Sequence, residues 1–253
     1  MLRQPGAEVV VVDYGCPDGA GDHVEARHPE ARVVRTGPVE GFNPGRARNL
    51  GAAAARGDTL VFVDADVVLS DGFLSFVAAN LAPDAFAKPR DPQTLDENSV
   101  QGTCVVHRGH FELVGGYDEV LVNYGGEDLE LYDRLGTARL QLLSLPPELF
   151  ARVIPHGADD RERFFDVAAE TGFMAGKVYR IAKDMMIRLN GTFDVDPATR
   201  RQLYDEIVRL VKNMERMQDK KLTLEVKFPD SRDIGLHKHW SFLRSIKVTV
   251  DRR

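Results

Sequence analysis

The chain has 253 residues, 43% apolar and 28% charged, enough for one large domain or a domain with an appendage. A net charge of −6 gives no general attraction for nucleic acid or anionic lipid. No apolar run approaches the roughly 18 residues of a spanning helix, and the N-terminus MLRQPGAE lacks the charged and apolar regions of a signal peptide. Cys16 and Cys104 are too scattered for a disulfide framework and read as free thiols, so the expected setting is the cytoplasm, with peripheral membrane attachment left open.

In chain order, residues 8–13 (EVVVVD), 32–35 (RVVR) and 59–64 (TLVFVD) read as short strands, with helices expected over 18–28 and 44–56. The second helix is punctuated by Asn43 as N-cap, Pro44 in the first turn and Gly57 as a left-handed C-terminal residue. Strands alternating with helices imply a parallel sheet with right-handed crossovers, whose ligands lie beyond the carboxyl ends of the strands. Asp13 and Asp64, both at predicted strand ends, are expected to face one crevice.

From Asp71 the pattern is mixed: a helix near 72–80, a strand near 100–107 and a short helix running into Gly115-Gly116. Then come a glycine turn with an acidic helix start (NYGGEDLELYDRLG, 123–136) and strands near 139–143 and 149–154. Residues 161–189 and 197–218 space apolar side chains as helices do, broken at Asn190-Gly191. A β-like tail follows at 222–228 and 245–250. Two parts are expected: 1–158, with a nucleotide half of about 1–70 and an acceptor half of about 71–158, and a mostly helical extension over 159–253 that serves as a packing and acceptor-side subdomain. His237 to Trp240 could stack on a sugar or simply pack under the tail.

Three places invite chemistry. In LVFVDADVVL (60–69) an apolar run, read as a parallel strand buried on both faces, ends in Asp64 and Asp66, and two carboxylates there suit a hard divalent cation or a solvated turn. Glu127-Asp128 opens a helix after Gly125-Gly126; the helix dipole favours an ionised carboxylate, as a general base requires, although first-turn acidity is also ordinary capping. His156 follows a strand and is either a metal ligand or a packed surface residue.

The order of these pieces resembles nucleotide-sugar glycosyltransferases of the GT-A fold, family 2. The resemblance rests on VVVDYGCPDG (10–19), ARNLGAAAARGDTLVFVDADV (47–67) and GGYDEVLVNYGGEDLELYDRL (115–135), the last similar to galactosyltransferase and polypeptide N-acetylgalactosaminyltransferase catalytic domains. VIPH (153–156) falls where those enzymes place a metal-binding histidine, so the likeness covers about residues 8–157. It implies an α/β fold with a mixed sheet flanked by helices. It also implies nucleotide contacts from Asp13, Arg48 and Asp64; manganese or magnesium held by Asp66 and His156 with Asp64; Asp128 as base; and Glu127, Gly126 and Tyr124 at the acceptor. The implied reaction is a single inverting displacement from a nucleoside diphosphate sugar, by default UDP-linked, to a hydroxyl of a glycan, lipid-linked or small-molecule acceptor.

The chain departs from the pattern in having Tyr14 for a second aspartate, Cys16 for serine or asparagine, and no strand, loop and helix ahead of Val9, which reads as a misplaced start. Two other readings stand beside this one. A sugar-nucleotide pyrophosphorylase would need a basic glycine-rich loop, and residues 13–19 contain neither arginine nor lysine. A GT-A-like module without activity would serve in binding or assembly.

Overall fold

The computed structural model describes residues 6–37, 39, 41–91, 100–122, 125–155, 168–217, 221–229 and 243–251. Tyr124, His156 and the 237–240 cluster lie outside them. Strand β1 (Val10–Asp13) leads through helix α1 (Ala20–Arg27) to β2 (Arg32–Arg35), which pairs with it in parallel as a βαβ unit should. Helix α2 (Pro44–Ala54) then precedes β3 (Thr59–Phe62) and β4 (Val67–Leu69). Next come α3 (Phe73–Asn80), β5 (Ala85–Pro89), β6 (Cys104–His107) and α4 (Arg108–Leu113). Helix α5 (Glu127–Thr137), β7 (Gln141–Leu145) and β8 (Phe150–Val153) complete the α/β part.

The central ladder has the order β3-β6-β5-β7, and β4 pairs with β8. β3 is buried on both faces, as its run of apolar residues predicts: Leu60 and Phe62 enter one cluster, and Val61 and Val63 pack against another. Its pairing corrects the expectation of a parallel strand, because Thr59 to Phe62 run antiparallel to His107 to Cys104. The sheet is therefore mixed. β1 and β3 share no ladder among the described residues, and β5 was not foreseen.

Helix α2 starts as its sequence dictates. Asn43 Oδ1 accepts from the Arg46 amide at 2.9 Å, and Pro44 fills a position where a missing N–H costs nothing. Its end differs from expectation: Ala55 is extended and Gly57 is not left-handed. The Arg108 guanidinium explains why, donating to the Ala52, Ala55 and Gly57 carbonyls at 3.0, 2.8 and 2.9 Å. A side chain from another element satisfies acceptors that a glycine turn otherwise would.

The extension begins with α6 (Ala169–Asn190) and α7 (Pro197–Met217), followed by strands β9 (Lys221–Pro229) and β10 (Leu243–Asp251) in an antiparallel pair. Leu224, Val226, Ile246 and Val248 alternate inward onto the helices. The same cluster includes Val120 and Leu121 of the α/β part. No helix among the described residues is long and apolar enough to cross a membrane.

Candidate active site

The site is organised by two adjacent residues of α2 that face different ways. Asn49 donates to the Tyr117 carbonyl at 3.0 Å and to Glu119 at 2.9 Å, and its Oδ1 accepts from the Tyr117 amide at 2.8 Å, fixing the loop after Gly115-Gly116. Arg48 points instead into a nest of carboxylates. Its Nη2 donates to Asp64 at 2.7 Å, its Nη1 to Glu127 at 2.9 Å, and Asp128 Oδ1 lies 3.2 Å from Nη1. The Tyr117 ring backs the guanidinium, 5.2 Å from centroid to Cζ. One arginine thus ties the end of β3 to the start of α5, joining residues 16 and 79 positions away.

Asp128 is the outlier. Its Oδ1 is buried and, although in ion-pair range of Arg48, makes no hydrogen bond among the described residues. Burial pushes its carboxyl well above the ordinary carboxylate range; Arg48 pulls it down, while Glu127 and Asp64 push it further up. Of the two carboxylates at this helix start, Asp128 is the one on which desolvation and like charge outweigh half a charge at a helix end. Burial disfavours the charge on Arg48, yet Asp128, Glu127 and Asp64 around it hold its pKa above the usual guanidinium value.

Glycine makes two close approaches possible here. A Cβ on Gly102 would stand 2.1 Å from Asp64 Oδ2, so that only a residue without a side chain lets this loop lie on the carboxylate. Gly126, the N-terminal cap of α5, has φ of 107°, which favours glycine. The first constraint is not visible as a motif, because it depends on what lies across the fold, whereas the second belongs to the glycine turn that the sequence shows.

The remaining expected residues lie around this cluster. The Asp66 carbonyl accepts from the Ile154 amide at 2.7 Å, bringing Asp66 to the end of β8, two residues before His156. A cavity of about 180 Å³ is lined by Gln101, Arg90, Arg152 and Val153 among others. Asp13 serves its own loop, accepting from the Cys16 and Gly21 amides at 2.8 and 3.0 Å. Asp64 and Asp66 carry oxygen donors of the chemical kind that magnesium and manganese take. No group of three or more candidate ligands forms among the described residues, which do not include His156.

Two family models match consecutive parts of the chain. "Glycosyl transferase family 2" covers residues 1–86 and "N-terminal domain of galactosyltransferase" covers residues 85–157. Among solved structures, a mannosyltransferase from Pyrobaculum calidifontis in complex with GDP-Man and Mn2+ superposes with a TM-score of 0.50 at 15% identity, covering 81% of this chain and 66% of that one. A Drosophila β1,4-galactosyltransferase 7 mutant with manganese, UDP-Gal and xylobiose gives 0.44 at 19% identity, over 64% of this chain and 76% of that one. GalNAc-T7 with UDP, GalNAc and Mn2+ gives 0.48 at 14% identity, over 84% and 50%. A curated 1-deoxy-D-xylulose-5-phosphate synthase from Anaeromyxobacter is 29% identical over 153 residues, 58% of this chain but only 21% of that protein, so the chain spans about a fifth of its length. The mixed sheet and the two consecutive matches lead to one assignment: a glycosyltransferase of GT-A fold, in which residues 1–86 match family 2 and residues 85–157 match the galactosyltransferase model.

Proposed function

We propose that the chain is a metal-dependent inverting glycosyltransferase that moves a sugar from a nucleoside diphosphate sugar, UDP-linked by default, to a hydroxyl of a glycan acceptor, free or lipid-linked. The observation that carries this is the convergence of Arg48, Asp64, Glu127 and Asp128 from three separate segments. A core strand ends in carboxylates because the donor assembles there, and a second carboxylate pair waits opposite on a rigid helix start.

Manganese or magnesium bound by Asp64 and Asp66, with His156, would offset the charge that develops on the departing diphosphate. Asp13 and Arg48 stand on the nucleotide side of the reading. Glu127, with Tyr124 and Gly126, orients the acceptor, and Asp128 takes the proton from the attacking hydroxyl. The new glycosidic bond forms on the face opposite the breaking bond to the diphosphate, which inverts the anomeric centre.

Calorimetric titration with UDP, with and without manganese, joined to a transfer assay, tests the reading. Wild type is expected to bind UDP only with metal. Asp66→Ala should lose that binding, and Asp128→Asn should keep it while transfer falls at least about 100-fold. Absence of metal-dependent binding by wild type would leave a non-catalytic module as the better reading, and full transfer by Asp128→Asn would remove Asp128 from the role of base.

A further inference from the structure

The start of α6 is seated on the glycine turn that introduces Glu127. A Cβ on Gly125 would meet Phe173 Cδ2 at 3.1 Å, and one on Gly176 would meet the Gly125 carbonyl at 2.9 Å. Phe173 nevertheless stays 40% exposed. One turn on, Lys177 holds its Nζ 4.3 Å from the centre of the Phe173 ring. Gly125 is two residues from Glu127, within about 7 Å along the chain.

The other basic residues of α6 are all paired: Arg180 with Asp133 at 2.8 Å, Lys183 with Asp118 at 2.6 Å and Arg188 with Asp184 at 2.7 Å. Lys177 alone has no carboxylate partner among the described residues, and it is exposed. A cation held over an aromatic face keeps its outer donors for another anion. The exposed part of the ring offers apolar surface on which the C–H face of a sugar can pack.

Building on the proposed transferase reading, we infer that Phe173 and Lys177 form an acceptor subsite beside Glu127 and Asp128, and that the acceptor carries an anionic group, a carboxylate or a phosphate, near the attacked hydroxyl. The ammonium meets the anion and the ring supports the sugar. The extension thereby contributes directly to substrate choice.

The test uses the full chain loaded with UDP and magnesium, once UDP affinity has been measured by calorimetry. Saturation-transfer NMR titrations then compare methyl glucuronide, glucose 6-phosphate and the neutral methyl glucoside. At least one anion is expected to bind about tenfold more tightly than the glucoside, as one charge-assisted hydrogen bond provides. Preference for the glucuronide identifies a uronic acid as the source, and preference for the phosphate a phosphorylated sugar or lipid. Lys177→Met, which keeps the stem, should erase the preference with UDP affinity unchanged; Phe173→Leu should weaken all three sugars while thermal unfolding stays within a few degrees of wild type. Equal binding of anions and glucoside, no binding of either anion, or a preference that survives Lys177→Met overturns the inference while the transferase reading stands. Failure of UDP binding in the first step overturns both.

Discussion

Asp128 sits beside a guanidinium and at a helix N-terminus, both of which favour its charged form, yet its carboxyl is pushed up. The cause is burial together with Glu127, its neighbour in sequence, and Asp64, whose proximity no local reading of residues 125–130 discloses. A base must lose its proton, so the ascending limb of the pH dependence of kcat/KM should lie above the ordinary carboxylate range and should be missing from the residual activity of Asp128→Asn. The stability sign is opposite. Between the unfolded and the raised folded pKa the folded chain binds more protons, so stability falls as pH rises through that window. Asp128→Asn should therefore unfold at a higher temperature than wild type at neutral pH, with the gap closing below the ordinary carboxylate pKa. Gly102 supplies a second residue-level expectation. A methyl group placed 2.1 Å from Asp64 Oδ2 must displace the carboxylate. Gly102→Ala should weaken metal-dependent UDP binding at least about tenfold, more than its effect on unfolding would suggest.

At the level of elements, what sequence discloses is what short range decides. Asn43-Pro44 announces the start of α2 because capping is a contact between residues three apart. The end of α2 was misread because its cap comes from Arg108, more than fifty residues on. Likewise the apolar run of β3 announces burial on both faces but not direction, which β6 sets from forty residues later. Arg108→Met should remove donors from three carbonyls and cost about 2 kcal/mol, measured as a lowered urea midpoint with unchanged slope. A shift under about 0.5 kcal/mol would show that water replaces the guanidinium at no loss.

At the scale of the molecule, the extension is joined to the α/β part by charge as well as by apolar packing. Asp118, 1% exposed, takes Lys183 at 2.6 Å, Arg200 at 2.7 Å and the Tyr179 hydroxyl at 2.5 Å. Lys183 also reaches Glu130 at 2.7 Å, and Glu130 is paired with Arg134. Sequence showed the apolar stripes of α6 and α7 but gave no sign that Lys183 faces inward. Burial opposes ionisation of Asp118, but Lys183 and Arg200 prevail and bring its carboxyl down to about 2. A depressed folded pKa contributes stability above the unfolded value of 3.8 that is lost as pH falls toward 2. The difference corresponds to about 2 kcal/mol and should appear as acid destabilisation absent from Asp118→Asn. Lys183→Met, which takes one of two cationic partners from each of two buried carboxylates, should cost up to about 3 kcal/mol in urea unfolding.

The seam between Gly125-Gly126 and Gly176 has a consequence for how such an enzyme can change. Three residues without side chains meet backbone to backbone, so there is nothing there to trim and no room to add. Variation is easier at the rim, at positions 173 and 177, where the side chains are exposed and a new one alters what docks. A combinatorial library at those two positions should return mostly folded proteins with shifted acceptor preference, whereas one at 125, 126 and 176 should return mostly unfolded chains.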